Sequence, residues 1–375
     1  MSTAEKYPDK IESVEQLEEL LSRPTDYLID VFRRTPGDVI VLGVAGKMGI
    51  TLARMAKRAS DAAGTKRKII GVARFSKPDQ QPALEMHGIE TIRADLLDQK
   101  QLDKLPDAPN VVYMPAMKFG STGQEALTWA MNTYLPGMCA QRYKNSKIVA
   151  FSTGNVYGLN PIVLGGALET SPLDPRGDYA MSCLGRERMF EHFSRVNATA
   201  VALIRLNYAT EMRYGVLVDV AQRVFAGEEI DLSMGAFNAI WQGDANAMSL
   251  ACLDHVASPP LVINVAGPEL ISLRRVAETF ASLMNKPLKT RGVEASDALI
   301  SNGQLGQRLF GYPRVPIPQL MQWIAHWVMA GGASLGKPTH FEARDGKYCL
   351  TTKPRRARSG CSLIHIPHLT SRRPD

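Results

Sequence analysis

Cysteine is scarce in this chain. Five residues (Cys139, Cys183, Cys252, Cys349 and Cys361) are odd in number and widely spaced, and none forms a CxxC pair. That spacing excludes a CxxC-type zinc or redox site and a disulfide framework, and the simple reading is free thiols in a reducing compartment. No uninterrupted apolar run reaches the ~18 residues of a membrane span. The opening stretch MSTAEKYPDKIESVEQLEELL lacks the apolar centre and small-residue cleavage site of a secretory signal, so a cytoplasmic protein without a membrane partner is expected. Excess charge is also absent from most of the chain. The formal net charge is +7, but Lys353, Arg355, Arg356, Arg358, Arg372 and Arg373 oppose Asp375 alone in the last stretch, which leaves the preceding body nearly neutral. No basic groove for nucleic acid is indicated, although the tail could touch an acidic partner. Hydrophobic residues at 45% and charged residues at 22% exclude a disordered or fibrous chain.

The 375 residues suit one large or two modest domains. Residues Ser13 to Arg34 carry Leu17, Leu20, Leu21, Leu28 and Phe32 at near-helical spacing, interrupted at Pro24. Residues 1–37 therefore form a helical extension that ends at Pro36-Gly37. The apolar run Asp38 to Leu42 follows, short enough for a buried parallel strand, then a glycine turn, then Met48, Leu52, Met55, Ala56 and Ala59 at helical intervals. Further strands are expected at Lys68 to Ala73, Glu90 to Arg93, Val111 to Met114, Lys147 to Phe151 and Ala200 to Ile204. Helices are expected at Thr122 to Arg142 and Met181 to Asn197. This alternation calls for a doubly wound parallel α/β (Rossmann) sheet over residues 38–206. Residues 207–330 read as a smaller, mixed, substrate-binding portion. It has helices at Val216 to Ala226, Ala245 to His255, Leu273 to Met284 and Gln319 to Met329, and a strand at Leu261 to Val265. Residues 331–375, rich in glycine, proline and arginine, read as an irregular, disordered basic tail.

The turn Gly43-Val-Ala-Gly46-Lys47-Met48-Gly49 lies between a strand and a helix, where a glycine pattern carries meaning. Gly43 permits the tight turn, Gly46 lets a pyrophosphate approach the backbone, and Gly49 allows close helix-to-strand packing. A dinucleotide is expected here; the plainer alternative is an ordinary β-α turn. An ATP loop is excluded by the glycine spacing and by Met48 where Ser or Thr would follow Lys47. The second strand ends at Ala73-Arg74, with no carboxylate for a ribose 2′-hydroxyl. Arg74, helped by Lys47, could pair with a 2′-phosphate, which favours NADP over NAD, and a merely solvated arginine is the alternative. No metal site is expected.

Three further stretches and two single residues resemble the extended short-chain dehydrogenase/reductase family of NAD-dependent epimerases and dehydratases. Ala94-Asp95-Leu96 follows the third strand, Phe151-Ser-Thr-Gly-Asn-Val-Tyr-Gly158 ends the fifth, and Tyr179-Ala-Met-Ser-Cys183 stands where the family has YxxxK. Asn132 matches the asparagine of the helix after the fourth strand, and Lys118 resembles the lysine of UDP-galactose 4-epimerases. The resemblance implies that Asp95 and Leu96 meet the adenine, and that Pro115, Ala116 and Asn132 lie beside the dinucleotide. It implies that Thr153 holds the substrate oxygen and that Tyr179 moves its proton. It also implies a sugar or sugar-nucleotide substrate and a homodimer through paired helices. Three features depart from the family. Tyr113-Met-Pro-Ala116 replaces His-Leu-Ala-Ala, Arg205-Leu-Asn207-Tyr208 is one residue short of RxxN, and Cys183 replaces the lysine.

The last departure bears on chemistry. Forming a phenolate near pH 7 costs roughly 4 kcal/mol unless positive charge stabilises it, and a neutral thiol supplies none. Lys118 is the favoured substitute, and Arg186, three residues past Cys183, is the other. The expected function is NAD(P)-dependent oxidoreduction or epimerisation at a hydroxyl-bearing carbon. The alternative is a non-catalytic NADP(H)-binding sensor or structural protein that has lost the lysine.

Overall fold

Short runs of β-branched and aliphatic residues build the centre of the molecule. In the computed structural model, which describes residues 7–118 and 123–347, strands β1 (Val39–Leu42), β2 (Ile69–Ala73), β3 (Glu90–Arg93), β4 (Asn110–Tyr113), β5 (Lys147–Thr153), β6 (Val201–Leu206) and β7 (Leu261–Val265) form one sheet. Its order is β7-β6-β5-β4-β1-β2-β3, and every pairing is parallel. Strand order reverses between β1 and β4, and a ligand crevice is expected outside the carboxyl ends at such a point. The register sets Leu42 opposite both Val72 and Tyr113. The chain segments leaving β1 and β4 therefore emerge side by side.

Helices α1 (Val14–Leu21) and α2 (Asp26–Arg34) flank Pro24 as expected, and each is opened by a side-chain cap, from Ser13 and Thr25. They serve different cores. Leu28, Val31 and Phe32 of α2 pack on the sheet with α3 (Gly49–Ala62), whereas Leu17, Leu20 and Leu21 of α1 join the core of the C-terminal lobe. On the opposite face of the sheet, α4 (Glu125–Trp129) passes through a π-helical turn (Ala130–Tyr134) into α5 (Leu135–Arg142) and packs against α6 (Gly177–Asn197). The expected helix start at Thr122 lies outside the described residues.

Residues 207–330 are continuous with the central sheet, because β7 returns to pair with β6 at the sheet edge. In addition, Gln242 and Asn246 of α8 (Gln242–Ala251) donate to the Thr51 hydroxyl on α3 at 3.2 Å each. Three further helices, α7 (Val216–Phe225), α9 (Leu273–Met284) and α10 (Ile317–Met329), enclose a core containing Phe237, Trp241 and Trp323.

The supposed tail must be divided. Residues 331–347 are irregular in backbone but packed. The Leu335 amide donates to Arg213 O at 3.1 Å, and Phe341 is buried beside Phe237. The Thr339 amide and hydroxyl donate to Asp219 Oδ2 at 2.7 and 2.6 Å, and Arg344 pairs with Asp297. Polar latches and one buried ring order a segment that has no periodicity of its own. Residues 348–375, including Arg355, Arg356 and Arg358, lie outside the described residues.

Candidate functional site

The glycine turn leaves β1 with Gly43 at φ +78°, and a Cβ there would meet the Pro115 backbone nitrogen at 2.9 Å. Pro115 is thus the wall against which the turn closes. At Gly49 a Cβ would lie 2.2 Å from Val44 O, so only glycine lets α3 begin so near the strand end. Gly46 is different: a Cβ would touch only Gly43 O, at 3.4 Å, and the backbone is open to an approaching group. Met48 occupies the N-cap position of α3 in helical geometry, and no side chain caps the first turn. Uncapped amides at a helix N-terminus and an open glycine suit a pyrophosphate. The residues present therefore fit a dinucleotide.

At the neighbouring strand ends Arg74 is exposed, and its carbonyl accepts from Arg93 Nη1 at 2.6 Å. Asp95 Oδ1 accepts from the Leu97 amide at 3.1 Å, and Leu96 is buried. Pro115 is buried and Ala116 exposed.

The other wall of the crevice is made of side chains. Thr153, at the end of β5, donates to Asn155 Oδ1 at 2.9 Å and accepts from the Asn155 amide at 3.2 Å. Tyr179 sits in the first turn of α6, nearly buried in a cluster with Val156, Tyr157, Ala167 and Cys183. Lys118 Nζ lies 5.6 Å from the centre of the Tyr179 ring. Burial lowers the Lys118 pKa to about 8, against the opposing pull of Cys183 and Asp219, which leaves it mostly charged near neutrality. Lys47 Nζ stands 3.3 Å over the Tyr214 ring. Its pKa is lowered to about 6 by burial and then by the charges of Lys118 and Lys337. The glycine turn and Lys118 are therefore electrostatic neighbours, and Lys118 in turn lies beside the Tyr179 ring.

Cys183 is fully buried, and burial raises its pKa despite Arg186 and a contact from Tyr179. It is a neutral packing group. Arg186 is not a surface partner of an acid, as it could have been. It is 2% exposed and donates to Phe151 O at 2.7 Å and to Asn132 Oδ1 at 3.0 Å. Burial opposes its charge, but Cys183, Tyr113, Tyr179 and Glu187 hold its pKa above the ordinary value. Asn132, expected beside the dinucleotide, is 0% exposed, lies in the π turn, and has both ends of its amide engaged by protein.

The network beneath this wall has little signature in the sequence. Ser152 donates to Glu187 Oε1 at 2.6 Å, and Arg205 pairs with Glu187 Oε2 at 2.7 Å. Arg205 also donates to the Tyr157 hydroxyl at 2.9 Å, which in turn donates to Asn264 Oδ1 at 2.7 Å. These bonds tie the ends of β5, β6 and β7 to α6. The one available signal was Glu187, eight residues after Tyr179 and so near the same helical face. Asp219 was also missed. Burial raises its pKa to about 6 against the two Thr339 hydrogen bonds.

Residues 39–214 match the model of the NAD dependent epimerase/dehydratase family. The match covers 176 of the 375 residues, just under half of the chain, and takes in the glycine turn and the Tyr179 segment. The resemblance carried by Gly43 to Gly49, Thr153 and Tyr179 lies within that matched stretch, and the match supports an enzyme of the epimerase/dehydratase type. No curated protein matches the sequence. Solved structures similar to it include UDP-glucuronic acid 4-epimerase from Bacillus cereus in complex with NAD. That match has 16% identity and a TM-score of 0.64, and covers 78% of this chain and 99% of that one. dTDP-glucose 4,6-dehydratase from Bacillus anthracis in complex with NAD gives 16% identity and 0.66, covering 79% and 97%. UDP-glucose 4-epimerase from Thermus thermophilus in complex with NAD gives 19% and 0.62, covering 77% and 98%. At these identities the likeness shows a shared fold.

Proposed function

We propose that the protein is an NAD(P)-dependent enzyme acting at a hydroxyl-bearing carbon of a sugar or sugar nucleotide, by epimerisation, dehydration or net redox change. Gly43, Gly46 and Gly49, with the first amides of α3, would hold the pyrophosphate, and Asp95 and Leu96 the adenine end. A nicotinamide held there supplies hydride-transfer chemistry. The protein's part is to move the proton at the substrate oxygen. Tyr179 is the group suited to it, with Thr153 holding the same oxygen by a hydrogen bond. The observation that carries this reading is Lys118, which stands 5.6 Å from the Tyr179 ring and close enough to Lys47 to depress its pKa. One cation thus links the proton-transfer residue to the dinucleotide turn. It can hold the phenol acidic where Cys183 cannot.

Exposed Arg74 at the end of β2 supports NADP over NAD. A homodimer is supported by a groove of about 750 Å3 on the outer face of α4, α5 and α6, lined by Trp129, Tyr134, Met138, Met189 and Phe193. Tyr134 is 63% exposed there, and a second copy of these helices would cover it.

The test uses UDP-glucose, UDP-glucuronic acid and dTDP-glucose as probes with NAD and NADP. Tyr179→Phe is expected to bind the dinucleotide as the wild type does and to lose turnover by about 10²- to 10⁴-fold. A variant that binds normally and turns over at the wild-type rate excludes this mechanism. Buried, uncharged Cys183 favours a second reading, a dinucleotide sensor without catalysis. That reading expects NADP(H) binding with no turnover of any probe by the wild type.

A further inference from the structure

We propose that Arg186 and Asn132 are positioning residues that deliver Lys118 to Tyr179, in place of a lysine carried by the Tyr179 helix itself. The inference rests on Tyr179 being the proton-transfer residue. It concerns how a cation reaches that residue when position 183 offers only a thiol.

A lysine on a connection is a poor electrostatic device unless its backbone is fixed, because four rotatable bonds and a mobile chain would spread the charge over many positions. Here the residue before Lys118 is fixed at both of its backbone groups. The Met117 amide donates to Asn132 Oδ1 at 2.8 Å, and Asn132 Nδ2 donates to Met117 O at 2.9 Å. One side-chain amide thus acts as a strand partner for the segment leaving β4.

The amide is itself locked. Its oxygen also accepts from Arg186 Nη2 at 3.0 Å, and its nitrogen also donates to Ser182 Oγ at 3.0 Å. Ser182 Oγ passes its own hydrogen to Tyr179 O at 3.0 Å, so it can only accept from Asn132. A flipped amide would set its NH2 against the Arg186 guanidinium and the Met117 amide, which are all donors. The orientation is determined by chemistry and not by packing alone.

Arg186 is the unusual element. A guanidinium almost wholly buried, hydrogen-bonded to a carbonyl and a neutral amide, with Nε lacking a partner, is costly to keep. Its charge makes the bond to Asn132 Oδ1 charge-assisted and therefore stronger and more directional. The path runs from Arg186 and Ser182 on α6, through Asn132 in the π turn, to Met117 and Lys118, and back to Tyr179 on α6. Both ends lie on one helix, so the cation's distance from the phenol is set by a closed loop of contacts. A π turn at this place fits, because the extra residue re-aims one side chain within a helix.

The decisive readout is the ionisation of Tyr179, followed as phenolate absorbance in a pH titration of the full-length protein, with Tyr179→Phe as the blank. Lys118→Ala, Asn132→Ala and Arg186→Gln are each expected to move that ionisation to higher pH by about one unit or more. Arg186→Lys, which keeps the charge and one donor, is expected to stay nearer the wild type. Adding Cys183→Lys to Asn132→Ala is expected to bring the titration back. A purely structural role would lower thermal stability in Asn132→Ala without moving the Tyr179 titration. If Arg186→Gln does not fold, Asn132→Ala alone decides. Asn132→Ala that folds and titrates as the wild type does, while Lys118→Ala is shifted, overturns the positioning role and leaves the function reading intact. If Lys118→Ala is also unshifted, Lys118 is not the cation and the positioning role falls with it. Failure of the function reading itself would show separately, as Tyr179→Phe that retains turnover.

Discussion

The two walls of the crevice are built by opposite means. On the β1 side the groups offered to a ligand are backbone: an open Gly46, uncapped amides at the start of α3, and a turn whose other glycines are required by contacts with Pro115 and Val44. On the β5 side everything is side chain. Thr153, Tyr179 and Lys118 come from a strand end, a helix start and a loop, and Asn132 and Arg186 join the segment before Lys118 to the Tyr179 helix. A backbone wall depends on steric room, so it fails abruptly when a methyl group is added. A side-chain wall depends on distributed charge and hydrogen bonds, so it weakens by steps.

That contrast is sharpest at two glycines. Gly49→Ala would force a Cβ to within 2.2 Å of a carbonyl oxygen. It is expected to abolish dinucleotide binding and to lower stability by about 3 kcal/mol, read as a fall in Tm. Gly46→Ala meets only one atom at ordinary contact distance. It is expected to change stability by no more than about 0.5 kcal/mol while still weakening dinucleotide binding. Equal loss of stability in both variants would break the distinction between a packing glycine and a ligand-facing one.

The side-chain wall should respond in degrees. Lys118→Ala is expected to lower turnover by about 10²-fold, measured with the probe sugar nucleotides. Cys183→Ala removes a buried neutral thiol, and is expected to leave turnover within about threefold while lowering stability by about 1 kcal/mol. Arg74→Ala, on the backbone side but exposed, is expected to reduce the preference for NADPH over NADH by about tenfold in equilibrium titrations.

The smallest effect concerns protons. Lys47 has a pKa of about 6 in the free crevice, so at pH 7.5 it is mostly neutral. A bound pyrophosphate would raise that pKa. Binding at pH 7.5 should therefore take up a proton, and affinity should weaken as pH rises above 6. Calorimetry in two buffers of different ionisation enthalpy measures the uptake, and Lys47→Met is expected to remove it.

The same contrast explains what could be read beforehand. Elements with a strong period were placed closely: Glu90 to Arg93, Leu261 to Val265 and Leu273 to Met284 have the expected bounds. The glycine turn was legible because its function is a spacing. Helix α6 was expected to start at Met181 but starts at Gly177, since Gly177-Asp178 offers no apolar signal. This places Tyr179 within the helix and not ahead of it. Asn132 and Arg186 carried no sign of their engagement, because each acquires its partners only when the π turn, β5 and the segment after β4 converge. Thr339 and Phe341 were unreadable for the same reason, as Asp219 and Phe237 lie about a hundred residues earlier in the chain.

The most direct measurement is equilibrium titration of NADPH and NADH into the wild-type protein, Tyr179→Phe and Gly46→Ala. Saturable binding of at least one dinucleotide by the wild type and Tyr179→Phe, weakened in Gly46→Ala, is the expected result. Absence of binding by either dinucleotide to the folded wild-type protein, or binding indifferent to Gly46→Ala, would contradict a cofactor crevice at the glycine turn.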